Sequence, residues 1–417
     1  MIDREFIDRY IYGFEKFVEY ISRYTLDYIE KVTGVPRGRI IKLAEFMYKY
    51  RPFAIFIGYG IQRRRGGGEI VRAIATLPAL LGIHRGFYYS NTDGLPINFD
   101  LIEGTYLGQP SRIVSMERIG ELLSQGELKF VYIHLHNPAA TLPNSSKVIE
   151  GLKRRDVFVV VHDTHWSDTA RLANVVLPAP TFLEKFDVVY SYWHNYLYLN
   201  EPVVEPLGEA LGEFHLMCEL AKKLKVDNYT EICRDPIDLL RLALDSEILD
   251  KLLKEGFAEL SPKPRNVYQT PTGRIEFYSL RAREKGLSPL PSPPEGDTVL
   301  EGEFLLISSA HPLYIHTQFE DVYGPIPSYV HINPRDAERL HLDDGEVVEV
   351  YNDRGAILVR VKIDDGVVER TLWIPRHARS IDGKRVSVLL DDDVEELGGG
   401  AILNSTRVRI RKPQHKS

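Results

Sequence analysis

Apolar and polar positions follow different periods along this chain, and the periods mark out its elements. An apolar run at 130–133 enters the polar turn HLHNPAATLPNSS. A helix-like segment follows at 147–155, then a second apolar run at 157–161 that ends on His162, Asp163 and Thr164. Strand, turn, helix and strand in that order predict a βαβ unit, with polar groups gathered at the strand ends. Upstream, Phe14, Phe17, Val18 and Ile21 recur at helical spacing, so residues 3–50 are predicted as two or three helices. Residues 53–57 read as a short buried strand. Gly58 and Gly60 follow it, and a helix over 69–81 carries Ile70, Ala73, Ile74 and Leu77 on one face. Residues 86–112 show no period and predict a functional loop or cover, whereas 213–224 is predicted helical.

Residues 285–298, KGLSPLPSPPEGDT, are Pro-rich and read as a linker. Beyond them come short strands separated by turn signals: FLLISSA, VVEVYNDRGAILVRVKI, RTLWIP and RVRIRK, with a hairpin turn at 352–355. One helix interrupts them, with Asn333 as its cap and Pro334 at its first position. The expected fold is therefore α/β: a Rossmann-like parallel-sheet region over 1–285, a Pro-rich linker at 286–300, and a β-rich barrel over 301–417.

Composition narrows the function. With 417 residues and 44% hydrophobic content the chain has material for sizeable cores, and a net charge of −7 argues against general nucleic-acid affinity. The cluster Arg63, Arg64 and Arg65 is local, either a solvated helix start or a phosphate-attracting patch. No stretch of about 18 apolar residues predicts a membrane span, and the start lacks the apolar core of a signal peptide. Two cysteines, Cys218 and Cys233, supply neither a four-cysteine cluster nor a zinc site. They read as buried small hydrophobes in a reducing compartment, so a cytoplasmic location is expected, with export through a partner as the alternative. The abundance of Arg, Lys and Glu with few Cys and Met is the compositional habit of proteins from hot environments.

In an open parallel sheet, ligands bind outside the carboxyl ends of the strands. Asn137, Pro138, Asp163 and Thr164 occupy that place here. Asp163 is read either as an acceptor for nucleoside hydroxyls or a guanine edge, or as the cap of the SDTA segment that follows it. His134, His136, His162 and His165 cluster around the same turn. The first two alternate onto one strand face, although no third metal ligand follows at a recognised spacing. The glycine turn at 58–60 is not a full dinucleotide fingerprint, because Arg63 stands where a third glycine belongs. Gln62 and Arg63 remain as candidates there. His311, His316 and Gln318 follow the first barrel strand, and Asn404, Ser405 and Thr406 follow three glycines that let a backbone approach a bulky ligand. No nucleophile is accompanied by a Ser–His–Asp or Cys–His arrangement, and 398–400 is no phosphate loop.

The run NPA, then VHD, then TARLANVVLPAPTFLE, from Asn137 through Asp163 to Glu184, resembles the molybdopterin oxidoreductases of the dimethyl sulfoxide reductase type. GYGIQRRRGGGEIVRAIATLPALLG, PTGRIEFYS, HPLYIHTQF, VHINPRDAERLHLDDGEVVEVYNDRG and LGGGAILNSTRVRI continue the resemblance over residues 1–411. It corresponds to the carboxyl-terminal half of such an enzyme. The resemblance implies a double-psi barrel and a molybdopterin guanine dinucleotide carrying Mo or W. Asn137 and Pro138 would line its pyrophosphate, with Asp163 and Thr164 nearer the guanosine, and His311, His316, Gln318 and Asn404 at the pterin. Gln62 and Arg63 would face the cofactor cleft. Where the family shows V-N-x-L-T, this chain has Ser387 in place of the Asn.

The function expected is the cofactor-binding half of a split oxidoreductase. The [4Fe-4S] cluster and the metal ligand would come from an amino-terminal catalytic half or iron–sulfur subunit. A non-catalytic structural subunit with a relict nucleotide cleft is the alternative. No catalytic residue and no protein metal ligand is identified in this chain.

Overall fold

The computed structural model describes residues 2–88, 90, 94–108, 110–262, 266–294 and 299–413. Its units do not follow chain order. One comprises Met1–Asp93, Lys263–Gly296 and Glu395–Gly400; the other comprises Gly94–Pro262, Asp297–Val394 and Ala401–Ser417.

In the first unit, four helices stand where two or three were expected: α1 (Arg4–Tyr10), α2 (Phe14–Ile21), α3 (Leu26–Thr33) and α4 (Arg37–Lys49). The break between α1 and α2 is Gly13, at φ 80°, where an added Cβ would lie 2.3 Å from the Cβ of Tyr278. Phe6, Ile7, Phe14 and Phe17 pack with Phe277, whereas α3 and α4 bury no residue. Strand β1 (Ile55–Phe56) pairs in parallel with β2 (Phe87–Tyr88), and α5 (Gly67–Leu80) connects them. A short strand and thus some regular structure occupies part of the 86–112 stretch, which carried no period.

The amino end of α5 is closed by a residue remote in sequence. Gly68 N–H donates to Glu395 Oε1 at 3.2 Å, while Glu395 Oε2 accepts from the N–H groups of Leu397 and Gly398 at 2.9 and 2.7 Å. Glu395 is buried and meets the positive end of the helix dipole. The Pro-rich stretch is not a free tether. Arg72 donates to the carbonyls of Ser288 and Pro289 at 3.0 and 2.8 Å, and Ser292 N–H donates to Glu69 at 2.8 Å, which fastens the stretch to α5. Residues 295–298 of the expected linker lie outside the described residues. In PTGRIEFYS, Glu276 accepts from Thr272 N–H and Oγ1 and from Leu280 N–H, a local staple across the turn.

The second unit holds the expected βαβ arrangement. Strands β3 (Phe130–His134), β4 (Phe158–Asp163) and β5 (Val175–Pro178) form a parallel sheet in that order. Helix α6 (Ile119–Gln125) packs on α8 (Ser145–Leu152), which follows the short α7 (Pro138–Thr141). Leu123, Val148 and Leu152 share one core with Ile133, Val159 and Val161 of the sheet. Burying such strands on both faces is what makes them continuous apolar runs rather than alternating ones.

A second, antiparallel sheet contains β6 (Asp187–Tyr190), β7 (Tyr196–Asn200) and a strand described below. Helix α9 (Glu213–Leu224) matches its expected span and is followed by α10 (Tyr229–Ile232). Helix α11 (Ser246–Glu255) then leads into β8 (Phe257–Glu259), the third strand of the antiparallel sheet. Cys218 in α9 and Cys233 after α10 are joined by a disulfide. The expectation that both are free, buried small residues is overturned, and with it the cysteine-based argument for a reducing compartment.

Six strands close into a barrel: β9 (Phe304–Ile307), β10 (Tyr329–Ile332), β11 (Val347–Tyr351), β12 (Ala356–Ile363), β13 (Thr371–Trp373) and β14 (Thr406–Arg411). Around the barrel the order is β9, β13, β10, β12, β11, β14. Buried positions alternate along β11 and β12, which sends Val348, Val350, Val359 and Val361 into one core with Leu306, Val330 and Leu372. Helix α12 (Pro334–Arg339) starts as predicted, with Asn333 accepting from Arg335 N–H at 2.9 Å. Among the described residues no helix is long and apolar enough to cross a membrane.

Glu395→Ala leaves three N–H groups without their acceptor and is expected to destabilise the protein by about 1–3 kcal/mol. Glu395→Gln should lose less. Thermal unfolding of the three proteins checks the order.

Candidate functional site

Strand β3 stops at His134 because Leu135 takes a left-handed conformation, φ 54°. His134 and His136 therefore do not share a strand face as the sequence suggested. The chain turns through Asn137 into α7, with Pro138 in the first helical position. Asn137 locks this turn. Its Oδ1 accepts from Thr169 N–H at 3.0 Å and Thr169 Oγ1 at 2.7 Å, and its Nδ2 donates to Thr317 Oγ1 at 3.2 Å. Thr169 Oγ1 in turn accepts from Ala139 N–H at 3.0 Å.

At the neighbouring strand end, Asp163 Oδ1 accepts from His165 N–H at 3.3 Å and Oδ2 from Ser167 Oγ at 2.6 Å. It caps the turn that follows, and each oxygen keeps lone-pair capacity for a further donor. Thr164 is exposed and pairs with His165 Nδ1 at 2.8 Å. His162 is buried, with Nδ1 at 3.0 Å from Tyr132 Oη and Nε2 at 2.9 Å from the Leu211 carbonyl, so both ring nitrogens are engaged structurally.

The barrel brings a second polar group together. Because β9 runs parallel to β13 and antiparallel to β14, the residues after β9 and β13 and those before β14 lie at one barrel end. Asn404 Oδ1 accepts from Ser308 N–H at 3.3 Å, and Arg376 donates through Nε and Nη2 to the Ser308 carbonyl at 3.2 Å. His311 Nδ1 accepts from Leu313 N–H at 3.3 Å. His316, at φ 54°, and Gln318 are exposed, and the His316 ring lies 5.7 Å from that of His377. Ser387 is buried and donates to the Ala140 carbonyl at 2.8 Å, with Ser145 Oγ at 3.0 Å. Ser387 thus joins the barrel to the turn that carries Asn137. Asn137, Pro138, Asp163, Thr164, His311, His316, Gln318 and Asn404 all belong to this second unit. Gln62 and Arg63 belong to the first, in the turn between β1 and α5, where Arg63 N–H donates to the Gly60 carbonyl.

Residues that sequence reasoning passed over hold these segments together. Arg385, only 5% exposed, donates to both oxygens of Glu320 at 2.8 and 2.9 Å, to Asp168 Oδ2 at 2.9 Å and to the His377 carbonyl at 2.8 Å. Arg379 donates to Asp168 Oδ1 at 2.6 Å. Burial alone would push the Asp168 carboxyl up, but the guanidinium groups of Arg379 and Arg385 outweigh it and hold it below the usual carboxylate range. That contribution is present above the unfolded carboxylate range and is lost as pH falls through the depressed value.

His377 is buried and left-handed, φ 63°, and its ring makes no hydrogen bond of good geometry, with the Ala140 backbone close enough to favour the charged form slightly. Burial, then Arg376, His316 and Arg385, push its pKa down to about 3. Burial and His316 lower that of His136 too. Ser308 Oγ, at the same barrel end, is also buried without a partner. The one sequence signal for this group is the run RHARSIDGKR, basic residues and a histidine directly after an apolar strand. Among the described residues no cluster of three His, Cys, Asp or Glu is placed to hold a metal.

Arg385→Ala leaves Glu320 without its guanidinium and Asp168 with Arg379 alone, and is expected to cost about 3 kcal/mol in denaturant unfolding. For His377 the unfolded ring titrates at about 6.5 and the folded one at about 3. Between these values the unfolded chain binds one more proton, so stability falls as pH falls, by up to about 1.4 kcal/mol per unit from this group. His377→Asn, which tolerates a left-handed backbone, is expected to flatten the stability profile between pH 4 and 6 by about one proton. An unchanged slope would contradict the buried neutral ring.

Comparison with known proteins follows the same segments. Residues 37–223 match the family model for molybdopterin oxidoreductase, and residues 304–407 match that for the molydopterin dinucleotide binding domain. The chain is 31% identical over 438 residues to the probable oxidoreductase YoaE of Bacillus subtilis, covering 98% of this chain and 64% of that protein. Identity is 27% to the F420-dependent formate dehydrogenase subunit alpha of Methanocaldococcus jannaschii, covering 90% and 61%. It is 25% to the dimethyl sulfoxide/trimethylamine N-oxide reductase of Rhodobacter capsulatus, covering 90% and 55%. The chain thus spans less than two thirds of each of these relatives. The acetylene hydratase of Pelobacter acetylenicus shares the fold, with a TM-score of 0.80 at 19% identity over 99% of this chain and 68% of that one. The chain belongs to the molybdopterin oxidoreductase family.

Proposed function

We propose that this chain is the cofactor-binding part of a molybdenum or tungsten oxidoreductase and holds a molybdopterin guanine dinucleotide. The observation that carries this reading is the junction in the second unit. Polar groups at the ends of β3 and β4 and at one end of the barrel are joined there by the Asn137–Thr317 and Ser387–Ala140 hydrogen bonds. The donor set suits such a ligand. Ser308 Oγ, buried without a protein partner, and the buried His377 ring, which makes no hydrogen bond of good geometry, accompany Arg376, Asn404 and the exposed Gln318 at the barrel end. A neutral imidazole offers one donor and one acceptor, which matches the mixed edge of a pterin better than a phosphate.

In this reading Asn137 and Pro138 line the pyrophosphate, Asp163 and Thr164 take the guanosine, and His311, His316, Gln318 and Asn404 contact the pterin. Gln62 and Arg63 remain cofactor candidates by resemblance alone. The barrel over 301–417 is a double-psi module and the α/β region before it is Rossmann-like. The bound group supplies the redox chemistry, while these residues bind, orient and shield it. An amino-terminal half or iron–sulfur subunit supplies the metal ligand and the [4Fe-4S] cluster, since no cysteine set in this chain does so.

The test is nucleotide selectivity. Guanosine diphosphate is expected to bind the full chain more tightly than adenosine diphosphate, and Asp163→Ala to weaken it by about 1.5–3 kcal/mol while the protein stays folded. Equal calorimetric affinities for the two nucleotides, or an Asp163→Ala protein that binds like the parent, would remove the assignment.

A further inference from the structure

The chain's two cysteines, far apart in character from the strand-end site, form its one cross-link. Cys218 sits midway along α9 and Cys233 directly follows α10, and both are half-buried. What surrounds them is thin. Neither α9 nor α10 buries a single residue, and Leu224 is 74% exposed. Helices in proteins draw most of their stability from packing an apolar face. Where that packing is thin, a cross-link that removes open conformations takes its place.

The start of α9 is tied to the candidate site. The Leu211 carbonyl meets His162 Nε2 at 2.9 Å, Leu211 N–H donates to the Pro178 carbonyl at 3.2 Å, and Glu213 pairs with Lys185 at 3.1 Å. His162 immediately precedes Asp163 on β4. Freedom gained by α9 therefore acts on the carboxyl ends of β4 and β5.

We infer that the Cys218–Cys233 disulfide is a redox clip, opened by dithiol reductants, that fixes the α9–α10 pair and through Leu211 the end of β4. The exchange is balanced. A thiolate of the reductant attacks one sulfur and forms a mixed disulfide, and the reductant's second thiolate then displaces it. Two electrons and two protons pass to the cysteines, and the dithiol becomes a disulfide. The inference rests on the fold alone, and none of its readouts involves a nucleotide.

The experiment uses the full chain treated with oxidised glutathione, with and without subsequent dithiothreitol. Alkylation mass spectrometry is expected to find no reactive thiol before dithiothreitol and two after it. Amide hydrogen exchange over 213–234 should accelerate by about tenfold or more on reduction, with a smaller acceleration at 160–166. Cys218→Ser should show the fast exchange whatever the redox state. Two thiols that stay alkylatable after oxidation, or exchange over 213–234 that ignores reduction, would overturn the clip. Acceleration confined to 213–234, with 160–166 unchanged, would overturn its connection to β4.

Discussion

A single buried guanidinium, that of Arg385, meets two carboxylates from segments that the chain places far apart. Glu320 follows the histidine-rich stretch after β9, Asp168 follows the end of β4, and Arg385 itself lies between β13 and β14. Taking a guanidinium fully and two carboxylates partly out of water is costly, and only close pairing offsets it. Here the geometry supplies that pairing, since Glu320 is gripped at both oxygens and Asp168 is shared with Arg379. The requirement works as a constraint on register. If the segment carrying Arg385 shifted by a residue, its guanidinium would be left buried away from both carboxylates. The candidate ligand residues therefore inherit their positions from an ion network they do not belong to.

Local pattern made much of the fold legible. The apolar runs at 130–133 and 157–161 predicted β3 and β4, the run VVEVYNDRGAILVRVKI with its hairpin turn at 352–355 predicted β11 and β12, and Asn333–Pro334 predicted the start of α12. Each of these signals lies within a few residues of the element it specifies. The parts that stayed hidden depend on partners distant in sequence. Nothing near Glu395 announces that it caps α5, and nothing in the spacing of Cys218 and Cys233 separates a bonded pair from two buried thiols. The same holds at the site. The strand-end position of Asp163 and its capping of the following turn could be read from pattern, but the left-handed Leu135 and the buried His377 ring follow from tertiary surroundings.

The glycine-rich run before α5 shows how a local motif can mislead when taken alone. The amino end of a helix attracts anions, and folds that bind nucleotides place a phosphate there. In this protein the Glu395 carboxylate already occupies that end, and Gly68 is kept free of a side chain because a Cβ would lie 2.8 Å from its oxygen. The broken fingerprint at Arg63 and the internal carboxylate agree. The run GYGIQRRRGGG builds a helix start whose anion is part of the protein.

Barrel closure has a consequence for how the chain reaches its native state. Strand β9 is sealed on one side by β13 and on the other by β14, with Leu306 opposite Thr406, and β14 also seals β11. Contacts between strands so distant in sequence require a large loop to be closed before any pairing is gained, which slows folding. Until β14 arrives, β9 and β11 each present an open edge of unpaired backbone groups, the kind of edge that recruits strands from other molecules. The same six-stranded ring that leaves the finished barrel without edges makes its unfinished form prone to misassembly, and the last strand to pair, β14, removes both exposed edges at once.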